Sequence, residues 1–108
     1  MKNLLPITAV ALVACFMTAG ARAADTEAMK KAGCLACHAD DKKLVGPSYK
    51  DVAKKYKGQA DAVPKLMEKV RKGGSGVWGP VPMSPNPVSK ISDADLKVAV
   101  EFILSLAK

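Results

Sequence analysis

The chain has 108 residues, which is room for one domain. Seventeen basic side chains stand against ten acidic ones, a formal charge of +7, so acidic partners are favoured. The lysines are dispersed and aromatic residues make up only 5% of the chain, a composition that argues against nucleic-acid recognition.

The N-terminus reads as a leader. Lys2 supplies a positive start, and an apolar run from Leu4 to Thr18 follows. Ala21-Arg22-Ala23 is an A-x-A cleavage pattern before polar Ala24-Asp25-Thr26-Glu27. Residues 1–23 are therefore expected to be a secretory signal peptide and residues 24–108 the mature domain. The apolar run is short for a membrane span, so none is expected after cleavage. Leu12-Val13-Ala14-Cys15 also resembles a lipoprotein box, which gives a second route with Cys15 acylated. With Lys2 and Arg22 removed, fifteen basic side chains remain against ten acidic ones. A protein core of this size is small.

Asp25 or Thr26 can cap a first helix that Gly33 ends, with Met29 and Ala32 on its inward face. Cys34-Leu35-Ala36-Cys37-His38 comes next. This C-x-x-C-H spacing is that of covalent haem attachment. Each thiol adds to one haem vinyl group, and the histidine after the second cysteine is placed to bind the iron. Three alternatives fit less well. A thioredoxin-like motif needs a βαβ context, and no strand pattern surrounds this one. Zinc needs a fourth ligand, and no further cysteine or histidine lies downstream. A Cys34–Cys37 disulfide would close a very small loop and stabilise little.

A polar loop follows His38 and turns at Gly46-Pro47. A carbonyl in this loop is a candidate acceptor for the second ring nitrogen of His38. Ser48 is placed to cap a helix over 49–56, with Tyr49, Val52, Ala53 and Tyr56 on one face. Asp61 is placed to cap the next, which runs through Lys72. Val63, Leu66, Met67 and Val70 form its stripe; Lys65, Glu68, Lys69, Arg71 and Lys72 are expected to face water. The run from Gly73 to Pro87 has four glycines and four prolines, so neither helix nor sheet is expected there. Trp78 and Met83 would be wasted in a solvated linker, so a stiff loop that fixes one side chain is the better reading. Ser92-Asp93-Ala94-Asp95 opens a last helix, with Leu96, Ala99, Val100, Phe102, Ile103 and Leu104 on its buried side and Lys108 as a favourable C-terminal charge. The fold class is all-α.

One face of the iron is left to fill, and His38 is the only histidine in the chain. Met29 is too close to Cys34 in sequence to cross to the far face. Met67 sits in an amphipathic stripe, where core packing explains it. Met83, in Pro82-Met83-Ser84-Pro85, is the expected sixth ligand. Thioether ligation favours ferrous iron and closes the second axial position.

With these residues on the page, the mature chain resembles the class I cytochromes c of the bacterial c-551/c-552 (c8) type. The resemblance is carried by Cys34 to His38, Val45-Gly46-Pro47, Gly76-Val77-Trp78-Gly79-Pro80 and Pro82-Met83-Ser84-Pro85-Asn86. It implies four or so helices wrapped around one covalent haem c, with the first and last crossing. It also implies a periplasmic, respiratory one-electron carrier that donates, for example, to a nitrite reductase or a terminal oxidase. By position it makes Cys34 and Cys37 the thioether cysteines, His38 and Met83 the axial ligands, and Pro47 the residue whose carbonyl holds His38. Trp78 matches a tryptophan that binds a haem propionate, and Asn86 an asparagine near the methionine sulfur. Lys69 stands where relatives often carry a propionate-binding arginine, and Met29 where an aromatic often packs on the last helix.

Three functions compete. The first is a carrier, a non-enzyme and a monomer, whose lysines guide docking on acidic redox proteins. The second is a haem peroxidase with a displaceable Met83, and the third a gas-binding sensor. With His38 on iron, no histidine remains for proton transfer, which favours the carrier.

Overall fold

The computed structural model describes residues 27–107. The leader, Cys15, both cleavage patterns, the caps Asp25 and Thr26, and Lys108 lie outside them.

Helix α1 is described over 27–31 and ends where Gly33 takes a φ of 82° and donates its N–H to Lys30 O at 3.0 Å. A single 3₁₀ turn, Cys34–Ala36, follows at once. Helix α2, Tyr49–Tyr56, starts as its sequence suggests: Ser48 Oγ accepts from the Asp51 N–H at 3.1 Å. Helix α4, Asp93–Ser105, starts the same way, with Ser92 Oγ accepting from Asp95 N–H at 3.2 Å. Helix α3, Ala62–Lys72, has the expected bounds but not the expected cap. Asp61 makes no side-chain cap hydrogen bond. Pro64 occupies the third helical position and has no N–H to offer, so the Asp61 carboxylate instead pairs with Lys65 Nζ at 3.2 Å.

The helices meet in one core. Met29 and Ala32 of the N-terminal segment, Tyr49 and Val52 of α2, Leu66 of α3, and Leu96, Ala99 and Val100 of α4 are buried together with Ile91. Met29 is 1% exposed, and Phe102 packs against this cluster. Methionine therefore fills the place of the expected aromatic, as its flexible thioether allows. Burying Leu96 alone contributes roughly 2 kcal/mol of transfer free energy.

The reading of 73–87 as free of sheet is corrected. Strands β1, Gly74–Gly76, and β2, Gly79–Met83, pair antiparallel across a Val77-Trp78 turn, in the register Gly74 with Met83 and Gly76 with Gly79. The prolines do not prevent this. Pro80 and Pro82 alternate with Gly79, Val81 and Met83, so both missing donors fall on one side of the strand, where an edge strand tolerates them. The surplus residues of β2 are absorbed as an irregularity in register. The architecture is thus helical with one small hairpin.

Candidate functional site

The segment from Cys34 to Tyr49 is folded back on itself by local hydrogen bonds. His38 N–H donates to Cys34 O at 3.0 Å, which closes the turn between the cysteines and the histidine. Gly46 N–H donates to Cys37 O at 2.8 Å, and Tyr49 N–H to Ala39 O at 2.9 Å. This brings Pro47 to the histidine ring: His38 Nδ1 lies 2.8 Å from Pro47 O. A carbonyl can only accept, so Nδ1 carries the proton and Nε2 keeps its lone pair for a metal. Two further residues frame the ring. Tyr49 stacks on it, with centroids 5.2 Å apart at 20°. Gly46 leaves room for it: a Cβ there would collide with Cε1 and stand 2.9 Å from Nδ1.

Neither Cys34 nor Cys37 is in a disulfide; Cys34 is half-buried and Cys37 exposed. Burial pushes the Cys34 thiol above its ordinary pKa, and the Lys90 charge opposes this in part. Among the described residues, no three His, Cys, Asp or Glu side chains are grouped to hold a metal ion by themselves.

Two adjoining hollows share Cys34, His38, Val81 and Met83. With open solvent included, the larger encloses about 950 Å³ and the smaller about 770 Å³. The walls of the larger are mostly apolar and come from every helix: Met29, Val52, Leu66, Leu96 and Val100 are among them, with Trp78 and Lys69 also on the lining. The smaller is bounded by Cys37, Gly46, Asn86 and Lys90 among others. An apolar cleft that carries one imidazole with a free nitrogen, one thioether and two thiols suits a haem c.

Met83 ends β2, and α3 holds the chain beyond it. Gly73 is buried at the helix end with φ 66°, where a Cβ would collide with the Met83 carbonyl and lie 2.9 Å from the Ser84 carbonyl carbon. Asn86, 7% exposed, donates its backbone N–H to Val70 O at 3.1 Å and its side-chain N–H groups to Val70 O at 3.2 Å and Ser84 O at 3.1 Å. Its amide is thereby engaged with carbonyls, and it borders the hollow that Met83 also lines. Arg71 does not face water as expected. It donates to Asn86 O at 3.1 Å, to Ile91 O at 2.7 Å and to Asp93 Oδ1 at 2.6 Å. Lys69 too is turned partly inward, onto the cleft. Trp78 lies at the hairpin tip, 41% exposed, with Lys55 Nζ 5.5 Å from its ring centroid.

The expected site residues therefore meet around one cleft: Cys34, His38 and Met83 on both hollows, Pro47 and Trp78 on the larger, Cys37 and Asn86 on the smaller. Met67 packs against the core and lines neither hollow. Met29 touches the larger but is locked in the core. Sequence reasoning missed Gly46, Tyr49, Arg71 and Gly73. A Gly-Pro turn marked the place of the first, and nothing local distinguished the others from ordinary core, surface and helix-stop residues.

The family model described as cytochrome c matches residues 19–107. Cytochrome c2 of Rubrivivax gelatinosus is 51% identical over 82 residues, covering 76% of this chain and 96% of the relative. Cytochrome c-551 of Pseudomonas aeruginosa is 49% identical over 87 residues, covering 80% of this chain and 81% of the relative. The crystal structure of Nitrosomonas europaea cytochrome c552 is similar with a TM-score of 0.69 at 46% identity, covering 75% of this chain and 98% of that one. A class 1 cytochrome of Sideroxydans lithotrophicus gives 0.72 at 37% identity, with 81% and 97% covered. On these matches the chain belongs to the cytochrome c family, as a small monohaem member with one covalent haem c.

Proposed function

We propose that this cytochrome is an exported, periplasmic one-electron carrier in which Cys34 and Cys37 would hold a haem by thioethers and His38 and Met83 would ligate its iron. The observation that carries the reading is the 2.8 Å contact between His38 Nδ1 and Pro47 O, which commits one ring nitrogen and leaves the other as a metal ligand beside a cleft that Met83 also lines. The haem supplies an iron that changes by one electron. The chain's residues do the rest. Pro47, Gly46 and Tyr49 fix the imidazole; the apolar walls exclude water; Met83 offers the sulfur. Trp78, at the mouth, would donate to a haem propionate, and Asn86 would set the stretch just past Met83. With His38 and Met83 both ligating the iron, the group would supply electron transfer rather than oxygen or peroxide chemistry.

The leader and the surplus of lysines support the rest: export after Ala23, then brief docking on acidic redox proteins such as a nitrite reductase or a terminal oxidase, by a monomer. Intact mass of the exported protein tests the attachment and the cleavage together. The expected product begins at Ala24 and carries one haem. A mass equal to bare polypeptide would overturn the haem reading, and a retained residue 1–23 would overturn the leader. The expected spectrum shows the weak red band of sulfur–iron charge transfer when oxidised, and slow carbon monoxide uptake when reduced.

A further inference from the structure

The chain after Met83 is poorly equipped to hold itself. Between Met83 and the start of α4, Pro85 and Pro87 have no backbone N–H, and the backbone contacts within the stretch are Lys90 N–H and Ile91 N–H to Pro87 O, at 2.9 and 3.3 Å. It belongs to no helix or strand. Yet it must deliver Met83 at one end and Ile91, which is buried and lines the cleft, at the other.

One side chain reaches both ends. The Arg71 guanidinium, on the last turn of α3, takes Asn86 O and Ile91 O with Nη1 and Asp93 Oδ1 with Nη2. The first acceptor lies three residues past Met83, and the third in the first turn of α4. The backbone of the same helix end binds Asn86 through Val70 O. The stretch is thus pinned to α3 at two points, Asn86 by Val70 O and Arg71, and Ile91 by Arg71.

The three contacts are unequal. Asp93 is 77% exposed, so its ion pair is screened by water and contributes little. The Arg71 side chain is only 20% exposed, and its bonds to two carbonyls are charge-assisted and shielded. A guanidinium can serve these acceptors from one rigid plane; an ammonium is a point charge and cannot reproduce the fork.

We propose that Arg71 is a positioning residue for Met83: it clamps the segment beyond β2 so that the thioether stays at the iron. The inference rests on Met83 being the sixth ligand. Loss of the clamp frees the arm and raises the fraction of time in which the sulfur is away, with the rest of the fold in place.

The test uses the haem-loaded protein with Arg71→Met, Arg71→Lys, Asp93→Asn and, separately, Met83→Ala. Carbon monoxide uptake by the reduced protein reads how often the iron opens, at a temperature where helix content equals that of the parent. Arg71→Met is expected to speed uptake by about tenfold, the factor that losing one charge-assisted hydrogen bond gives. Its sulfur–iron band should fade at lower temperature than global unfolding. Arg71→Lys should fall between Met and the parent, and Asp93→Asn should match the parent. If Arg71→Met fails to fold, Arg71→Lys alone decides the matter by the same readouts. A lowered unfolding temperature with unchanged uptake and an unchanged band would overturn the proposal, since that is the behaviour of a merely structural contact. If Met83→Ala keeps the sulfur–iron band, the ligand assignment itself falls; that outcome is separate from failure of the clamp.

Discussion

The two segments proposed to carry the iron ligands are built on different plans. His38 is held from close by. Its partners Gly46, Pro47 and Tyr49 all lie within eleven residues of it, and the backbone between them is tied by short-range hydrogen bonds. Met83 is held from afar. Val70 and Arg71 on α3, with Gly73 just past its end, fix the chain beyond it, and the Arg71 contacts span fifteen to twenty-two residues. The histidine segment can therefore take shape as soon as its own residues are arranged. The methionine segment depends on α3, the hairpin and the start of α4 already being in place. Such a difference makes the sulfur side the one that opens first when the fold is loosened.

Two glycines break this comparison from opposite ends. Gly73→Ala is the larger change. Its φ of 66° disfavours any side chain, and the new Cβ would strike the Met83 carbonyl, which is backbone and cannot swing aside. Strain and overpacking together should cost roughly 3 kcal/mol or more. The expected signature in the haem-loaded protein is loss of the sulfur–iron band while the His38 Nδ1–H resonance stays where it is. A retained band with the same loss of stability would show that the glycine serves the helix end alone.

Gly46→Ala is the counterpart on the histidine side. Its φ lies outside the left-handed region, so only crowding against the imidazole is at stake. The ring has some freedom to yield, which places the cost at about 1–3 kcal/mol. Here the Nδ1–H resonance should shift as the Pro47 contact lengthens, and the sulfur–iron band should persist. If Gly46→Ala removed the band and left the His38 proton unmoved, the two segments would not be independently supported.

The same contrast explains what could be read before folding. The C-x-x-C-H turn, the Ser48 and Ser92 caps, and the stripes of α2 and α3 follow from spacing, because each is a local pattern. The His38 segment was partly legible too: a carbonyl acceptor in its loop was expected, and Pro47 provides it. Tyr49 was seen only as a core residue, since stacking depends on where the loop returns. Arg71 was placed in water by its charge, because nothing in α3 announces two carbonyls arriving from fifteen and twenty residues downstream. The hairpin was missed for a different reason. Proline was counted against a strand without regard to parity, and Pro80 and Pro82, two apart, leave one side of the ladder intact.

The smallest expected effect concerns the mouth of the cleft, where α2 meets the hairpin. Lys55 Nζ stands 5.5 Å from the Trp78 ring centroid, within reach of a cation–π attraction. Both partners are exposed, so water competes and the contact is worth roughly 0.5–1 kcal/mol. Lys55→Met keeps a flexible apolar stem over the indole and removes only the charge. Thermal unfolding should shift slightly downward, and the indole N–H resonance of Trp78 should move. The His38 proton and the sulfur–iron band should not, because neither ligand segment is anchored through this pair. A reduction potential that follows the Trp78 resonance would tie the indole to the propionate end of the haem. A potential that stayed fixed while the resonance moved would confine Lys55 and Trp78 to a latch between α2 and the hairpin, with both ligand segments indifferent to it.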